Sequence, residues 1–200
     1  MTVKQAKKLA KSTLSAKRYH HVSNVEKAAV KLAQRYGANV DKAALAAWLH
    51  DIVKEAPKER LLQLMGQDAI MAEVFRHQPM PLWHGPCAAI YAKQELGVND
   101  EEVLSAVACH TTGKPNMSLL DKIVYLADMI SKERYYDGVE DLRKLAKQDI
   151  NTAVIAAMQQ SIFFIKQSGK PLDEMTVAAL KDLQTQSEGK VRGNPVEQRQ

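Results

Sequence analysis

Cysteine is nearly absent. Cys87 and Cys109 are the two thiols in 200 residues, and without a Cys-x-x-Cys spacing they give neither a disulfide framework nor a zinc knuckle. Both read as buried free thiols packing as small apolar groups, so Cys109 stays outside any site although it precedes His110. Long apolar runs are missing too. The longest, Ala43 to Leu49, falls far short of the roughly 20 residues that cross a bilayer, so no membrane role is expected. The basic opening from Met1 to Lys11 lacks the apolar block and cleavage site of a secretory signal, and a cytoplasmic location is expected. No segment alternates apolar and polar residues between turn signals, which argues against a sheet. Zinc fingers, aromatic RNA-binding signatures and dense basic runs are also lacking. The net charge of +5, much of it in Lys4, Lys7, Lys8, Lys11, Lys17 and Arg18, therefore permits a phosphate-bearing partner without requiring nucleic acid.

What is present is helical periodicity from end to end, which predicts an all-α bundle. With 46% apolar residues the chain can bury one substantial core, taken as a single domain over 1–186. The tail Ser187 to Gln200, with Gly189, Gly193 and Pro195, is expected to be disordered. A basic N-terminal helix is expected over Val3 to Leu14. Further helices are expected over His21 to Tyr36 with Gly37 as stop, Asp41 to Lys54 with Asp41 as cap, Lys58 to Leu64 and Asp68 to His77. His84-Gly85-Pro86 opens another to Leu96, and Asp100 one that ends near His110. After the loop Thr111 to Asn116, Ser118 and Asp121 have capping-box spacing for a helix to Ser131. Gly138 to Gln148, Asn151 to Gln167 and Leu172 to Gln184 complete the set. Ile162, Phe163, Phe164 and Ile165 read as core, with a homodimer interface as the alternative.

His50 and Asp51 are adjacent, and His21, His84, His110 and Asp128 lie far apart in the chain. Imidazoles and carboxylates without thiolate form the donor set of a metal site, and one carboxylate can bridge two ions. Helical spacing turns these groups inward. His50 lies above Ala46 and Ala47, His110 above Ala106 and Val107, and Asp128 above Val124 and Tyr125. Burial would cost several kcal/mol unless the groups are paired or metal-bound, so one shared partner is expected. His20 points about 100° away from His21 around the same helix and, like His77, reads as an ordinary histidine. Lys54, Arg134 and the amides of Thr111, Thr112 and Gly113 are candidate phosphate-binding groups, with Asp51 and Lys54 as candidate catalytic residues. Gly113 is read as letting the backbone approach a phosphate.

Five stretches resemble the HD-domain metal-dependent phosphohydrolases, and more narrowly the YqeK family of symmetrical diadenosine tetraphosphatases. They are Arg18-Tyr19-His20-His21, Leu49-His50-Asp51-Ile52-Val53-Lys54, His84-Gly85-Pro86, His110-Thr111-Thr112-Gly113 and the run from Leu119 to Asp128. The resemblance covers Lys17 to Ser168 and implies an HD-domain bundle with a buried dinuclear metal site. It implies that His21, His50, Asp51 and Asp128 hold one metal and His84 and His110 a second, with Asp51 bridging. The ions implied are iron, with manganese also fitting the donors. The reaction implied is symmetrical cleavage of the dinucleoside polyphosphate diadenosine tetraphosphate to two ADP by a metal-bridging hydroxide. The Arg-Tyr-x-His pattern selects His21 over His20. Alternative readings are another HD-domain nucleotide phosphohydrolase, such as a nucleotidase or alarmone hydrolase, and a non-catalytic helical interaction module.

Overall fold

Capping chemistry sets where the helices begin. In this computed structural model, which describes residues 1–67, 73 and 78–192 (backbone alone at 189–192), α1 (Val3–Thr13) opens on a capping box between Thr2 and Gln5. Ser15 caps α2 (Ala16–Tyr36), which ends at Gly37 with φ +70°, a left-handed stop that suits glycine. α3 (Val40–Leu49) is capped by Asn39, whose side chain accepts from the Lys42 amide; the cap is therefore Asn39 and not Asp41. α4 (Lys58–Met65) follows, then a short 3₁₀ turn at Met80–Leu82, α5 (His84–Gln94) and α6 (Glu101–Cys109), the last capped by Asp100. Ser118 and Asp121 close the expected capping box of α7 (Leu119–Ile130). α8 (Val139–Leu145), α9 (Ile150–Gln167) and α10 (Glu174–Arg192) complete the chain. Among the described residues there is no strand, as an all-α fold requires. Nor is any described helix long and apolar enough to cross a membrane.

α3 is the centre of the bundle. Ala43, Ala44, Ala46, Ala47, Trp48 and Leu49 are all buried, so the helix has apolar contacts nearly all round and packs against α1, α2, α5, α6 and α7. Four alanines on one short helix let those neighbours approach closely. The helix does not reach Lys54 as expected. It ends at Leu49, and the chain continues in i→i+3 turns, with Ile52 bonded to Leu49, Lys54 to Asp51 and Ala56 to Val53. That tightening places His50 and Asp51 at the inner end of α3.

Three further expectations meet the structure differently. α2 begins five residues before His21, at Ala16, so Arg18 and His21 share a helix face. Phe163 and Phe164 are 58% and 46% exposed, so α9 shows them to solvent instead of the core, while Ile162 and Ile165 are half-buried. α10 extends to Arg192, into the segment expected to be a disordered tail from Ser187. Residues 193–200, and the expected helix from Asp68 to His77 apart from Glu73, lie outside the described residues.

Trp48 is 1% exposed and faces the Tyr19 ring at a centroid distance of 5.5 Å, with the Lys7 ammonium 5.6 Å from its own ring centre. It thus ties α1 and α2 to the central helix. Trp48→Ala is expected to lower stability by about 3–5 kcal/mol in urea unfolding, from lost burial and the remaining cavity. A loss under about 1 kcal/mol would show that the α1–α2–α3 junction does not depend on it.

Candidate metal centre

Three helix ends bring the buried polar groups together. His50 follows the last residue of α3, His110 the last residue of α6, and His84 opens α5. Each ring is oriented by the same local bond. Nδ1 of His50 lies 2.6 Å from the Ala47 carbonyl, that of His110 2.8 Å from Val107 and that of His84 2.8 Å from Pro81, always three residues back. A carbonyl can only accept, so each Nδ1 carries the proton and each Nε2 keeps a lone pair. The fourth ring, His21 on α2, makes its Nδ1 contact with the Glu133 carboxylate and turns Nε2 inward.

Asp51 lies between the four rings. Its Oδ1 is 3.3 Å from His84 Nε2 and 3.6 Å from His110 Nε2, while Oδ2 is 3.6 Å from both His21 Nε2 and His50 Nε2. Asp128, on the last turn of α7, is 3.1 Å from His21 Nε2. Metal-capable triads within 4.8 Å are His21–His50–Asp51, His50–His110–Asp128 and Asp51–His84–His110. All six residues expected as ligands thus converge in one cluster.

Two observations test whether a cation fits. His50 Nε2 is buried without a hydrogen-bond partner, and His84 Nε2 lies 3.0 Å from His110 Nε2 although both tautomers leave lone pairs there. Facing lone pairs repel unless a cation lies between or beside them. The donors are nitrogen and oxygen without thiolate, because Cys109 is buried and its pKa is pushed far up by the apolar surroundings. The cluster fits divalent metal.

Electrostatics keep the clustered carboxylates ionised and His50 and His84 neutral. Burial alone would raise the Asp51 and Asp128 pKa values. Around Asp51 the neighbouring His50, His110 and His84 outweigh it, and around Asp128 the His21 hydrogen bond and Arg134 do, so both carboxylates stay well below the usual range. Desolvation lowers His50 to about 4 and also lowers His84. His21 goes the other way: burial opposes protonation, but Asp128 and Glu133 overcome it and raise the value.

The HD domain family matches residues 18–133, a span that contains the whole cluster. The chain belongs to the HD-domain family. A protein of Bacillus subtilis (strain 168) named "Bis(5'-nucleosyl)-tetraphosphatase, symmetrical" is 38% identical over 172 residues, which are 86% of this chain and 92% of the relative. One of the same name from Halalkalibacterium halodurans is 39% identical over 90% of this chain and 95% of the relative. The crystal structure of a predicted HD superfamily hydrolase involved in NAD metabolism from Clostridium acetobutylicum has a TM-score of 0.84 at 34% identity, covering 93% of this chain and 98% of that one. The likeness runs nearly the length of each chain and makes this HD-domain protein a YqeK-type phosphohydrolase.

Beyond the six clustered residues, the expected phosphate-binding groups fall into two sets. Lys54 Nζ lies 3.0 Å from both ring nitrogens of His84, and burial lowers its pKa. Arg134 donates from Nη2 to Asp128 Oδ1 and from Nε to the Asp128 carbonyl. Thr111 Oγ1 is buried without a partner. Thr112 and Gly113, by contrast, face inward. The Thr112 hydroxyl donates to the Gly113 carbonyl, and a Cβ on Gly113 would lie 2.3 Å from Met158 Cε on α9. The φ of +68° asks for glycine at 113, and Met158 on α9 and Ala179 on α10 crowd the position as well. His20 is exposed and bonds Asn24, apart from the cluster.

Two residues of this HD domain were not singled out from the sequence. Arg18 Nη1 donates to Asp51 Oδ2 at 2.7 Å, and Glu133 holds the His21 ring. Arg18 carried a signal in the Arg-Tyr-x-His stretch; Glu133 carried none.

Gly85 permits the His84–His110 approach, since a Cβ there would lie 2.7 Å from the Ala108 carbonyl and 3.4 Å from His110 Cε1. Gly85→Ala is expected to push α5 off α6 and lower metal content per chain, read by elemental analysis, while helical circular dichroism persists. Undiminished metal content would show that the contact is dispensable. The pKa directions give a second expectation. His21 takes a proton before an ordinary histidine as pH falls and so loses its lone pair first, whereas His50 stays neutral down to about 4. Manganese affinity should therefore weaken on the acid side by roughly tenfold per pH unit below the His21 pKa, measured by equilibrium dialysis. Affinity flat between about pH 8 and about pH 5 would contradict this.

Proposed function

We propose that this HD-domain protein is a symmetrical dinucleoside tetraphosphatase that cleaves diadenosine tetraphosphate to two ADP. The observation that carries the reading is the Asp51 carboxylate, with one oxygen facing His84 and His110 and the other facing His21 and His50. In this reading His21, His50, Asp51 and Asp128 hold one ion and His84 and His110 a second, with Asp51 shared. Iron is the favoured ion and manganese suits the same donors. When bound, such a pair supplies Lewis acidity toward a phosphoanhydride and toward water. The relatives' name, symmetrical bis(5'-nucleosyl)-tetraphosphatase, supports the substrate and the position of the cut.

The chain's own groups account for the rest. A tetraphosphate carries several negative charges, and Arg18, Lys54 and Arg134 place three cations around the two carboxylates. Arginine has five donors in a fixed fork, so Arg18, with a buried Nε that lacks a partner, can hold Asp51 and still address a phosphate oxygen. Lys54, partly desolvated beside His84, sits where a bridging oxygen can be neutralised as it leaves. Thr111 Oγ1 is a further free hydroxyl at the His110 side. Thr112 and Gly113 serve as the packed floor of that loop.

Asp51→Ala should abolish both metal retention and turnover, with at least a 10³-fold loss of kcat/KM, while the circular dichroism of the bundle is kept. Chromatography of the wild-type products should give two ADP per diadenosine tetraphosphate. Wild-type rates in the Asp51→Ala protein, or ATP with AMP as products, would refute the reading.

A further inference from the structure

The loop that leaves α7 carries an aromatic ring the chemistry above does not use. Tyr135 is 99% exposed, the most exposed large apolar side chain among the described residues. Its hydroxyl has no hydrogen-bond partner and its ring no aromatic or cationic neighbour among those residues. Phe163 and Phe164, the other exposed rings, pack on each other with centroids 5.9 Å apart.

The backbone beneath Tyr135 is braced. Arg143 donates to the carbonyls of Ile130, Ser131 and Arg134 at 3.1, 2.7 and 3.0 Å. Tyr136 OH donates to the Met129 carbonyl at 2.9 Å, and the Gln160 amide donates to the Asp137 carbonyl. Residues 133 and 134 reach into the cluster, Glu133 to His21 and Arg134 to Asp128. Adjacent Cα atoms are about 3.8 Å apart, so Tyr135 follows directly on the residue whose guanidinium meets the Asp128 carboxylate. A braced loop thus holds an aromatic ring in water one residue from Arg134, the cation proposed above for phosphate, in the order in which a nucleotide presents base and phosphate.

We propose that Tyr135 is a stacking platform for one adenine of the substrate, a specificity element that rests on the nucleotide reading given above. Base–aromatic stacking contributes enough to matter without hydrogen-bond readout, since every base has a π face. The ring would act in binding, leaving the chemical step to the groups around Asp51.

The test uses the full chain loaded with manganese and calorimetric titration of two probes, ADP and inorganic tripolyphosphate. Tyr135→Ala should weaken ADP about 10-fold and leave tripolyphosphate unchanged, while Tyr135→Trp keeps ADP affinity. In turnover, Tyr135→Ala should raise KM for diadenosine tetraphosphate by a similar factor with kcat retained. Unchanged ADP affinity overturns the proposal, as does an equal weakening of both probes or a wild-type protein that does not bind ADP. If the wild type fails to split diadenosine tetraphosphate but discriminates the probes as stated, the function fails and the stacking site stands.

Discussion

One carboxylate organises this protein. Asp51 is 3% exposed, it is shared by two pairs of histidines, and its ionised form would be prohibitive in a core without compensating partners. Arg18 supplies part of that compensation, and a cation held by the surrounding imidazole nitrogens would supply the rest; those groups come from α2, the end of α3, the start of α5 and the end of α6. The packing of those helices on the alanine-rich α3 is what allows such short distances. Bulkier residues there would hold α2 and α7 off and dissolve the cluster.

The histidines are aimed by backbone groups that would otherwise be left over. The last carbonyls of an α-helix have no intrahelical partner, and at the ends of α3 and α6 a ring Nδ1 takes one of them. His84 uses the carbonyl of Pro81 in the turn ahead of α5 in the same way. A helix terminus thus does two things at once: it is capped, and it fixes which nitrogen faces the cavity. His21, in mid-helix, has no free carbonyl and takes a carboxylate, Glu133, in its place.

Helix content and the six central side chains were legible in the chain because they rest on local rules. Ser118 and Asp121 announce α7, Gly37 ends α2, and the inward spacing of His50, His110 and Asp128 follows from 3.6 residues per turn. What escaped depends on distance through space. Glu133 lies 112 positions from His21, and no periodicity links them. Arg18 meets Asp51 across 33 positions, a contact that required α2 to start early. The end of α3 was misjudged because Ile52 and Val53 continue an apolar pattern that turns carry as readily as a helix. Gly113 carries a left-handed φ and faces a methionine on another helix, constraints that look the same in one dimension as room for a ligand.

The ring-to-carbonyl bonds build part of the donor geometry into the chain. In a zinc finger the ion assembles its own cage, so chelation unfolds the domain. Here three of the four imidazoles are bonded to main chain by their far nitrogens, so the direction of each inward nitrogen is set by the chain itself. The inward nitrogens are thus aimed by main-chain carbonyls, and what they ask of an occupant is only that it accept nitrogen and oxygen donors.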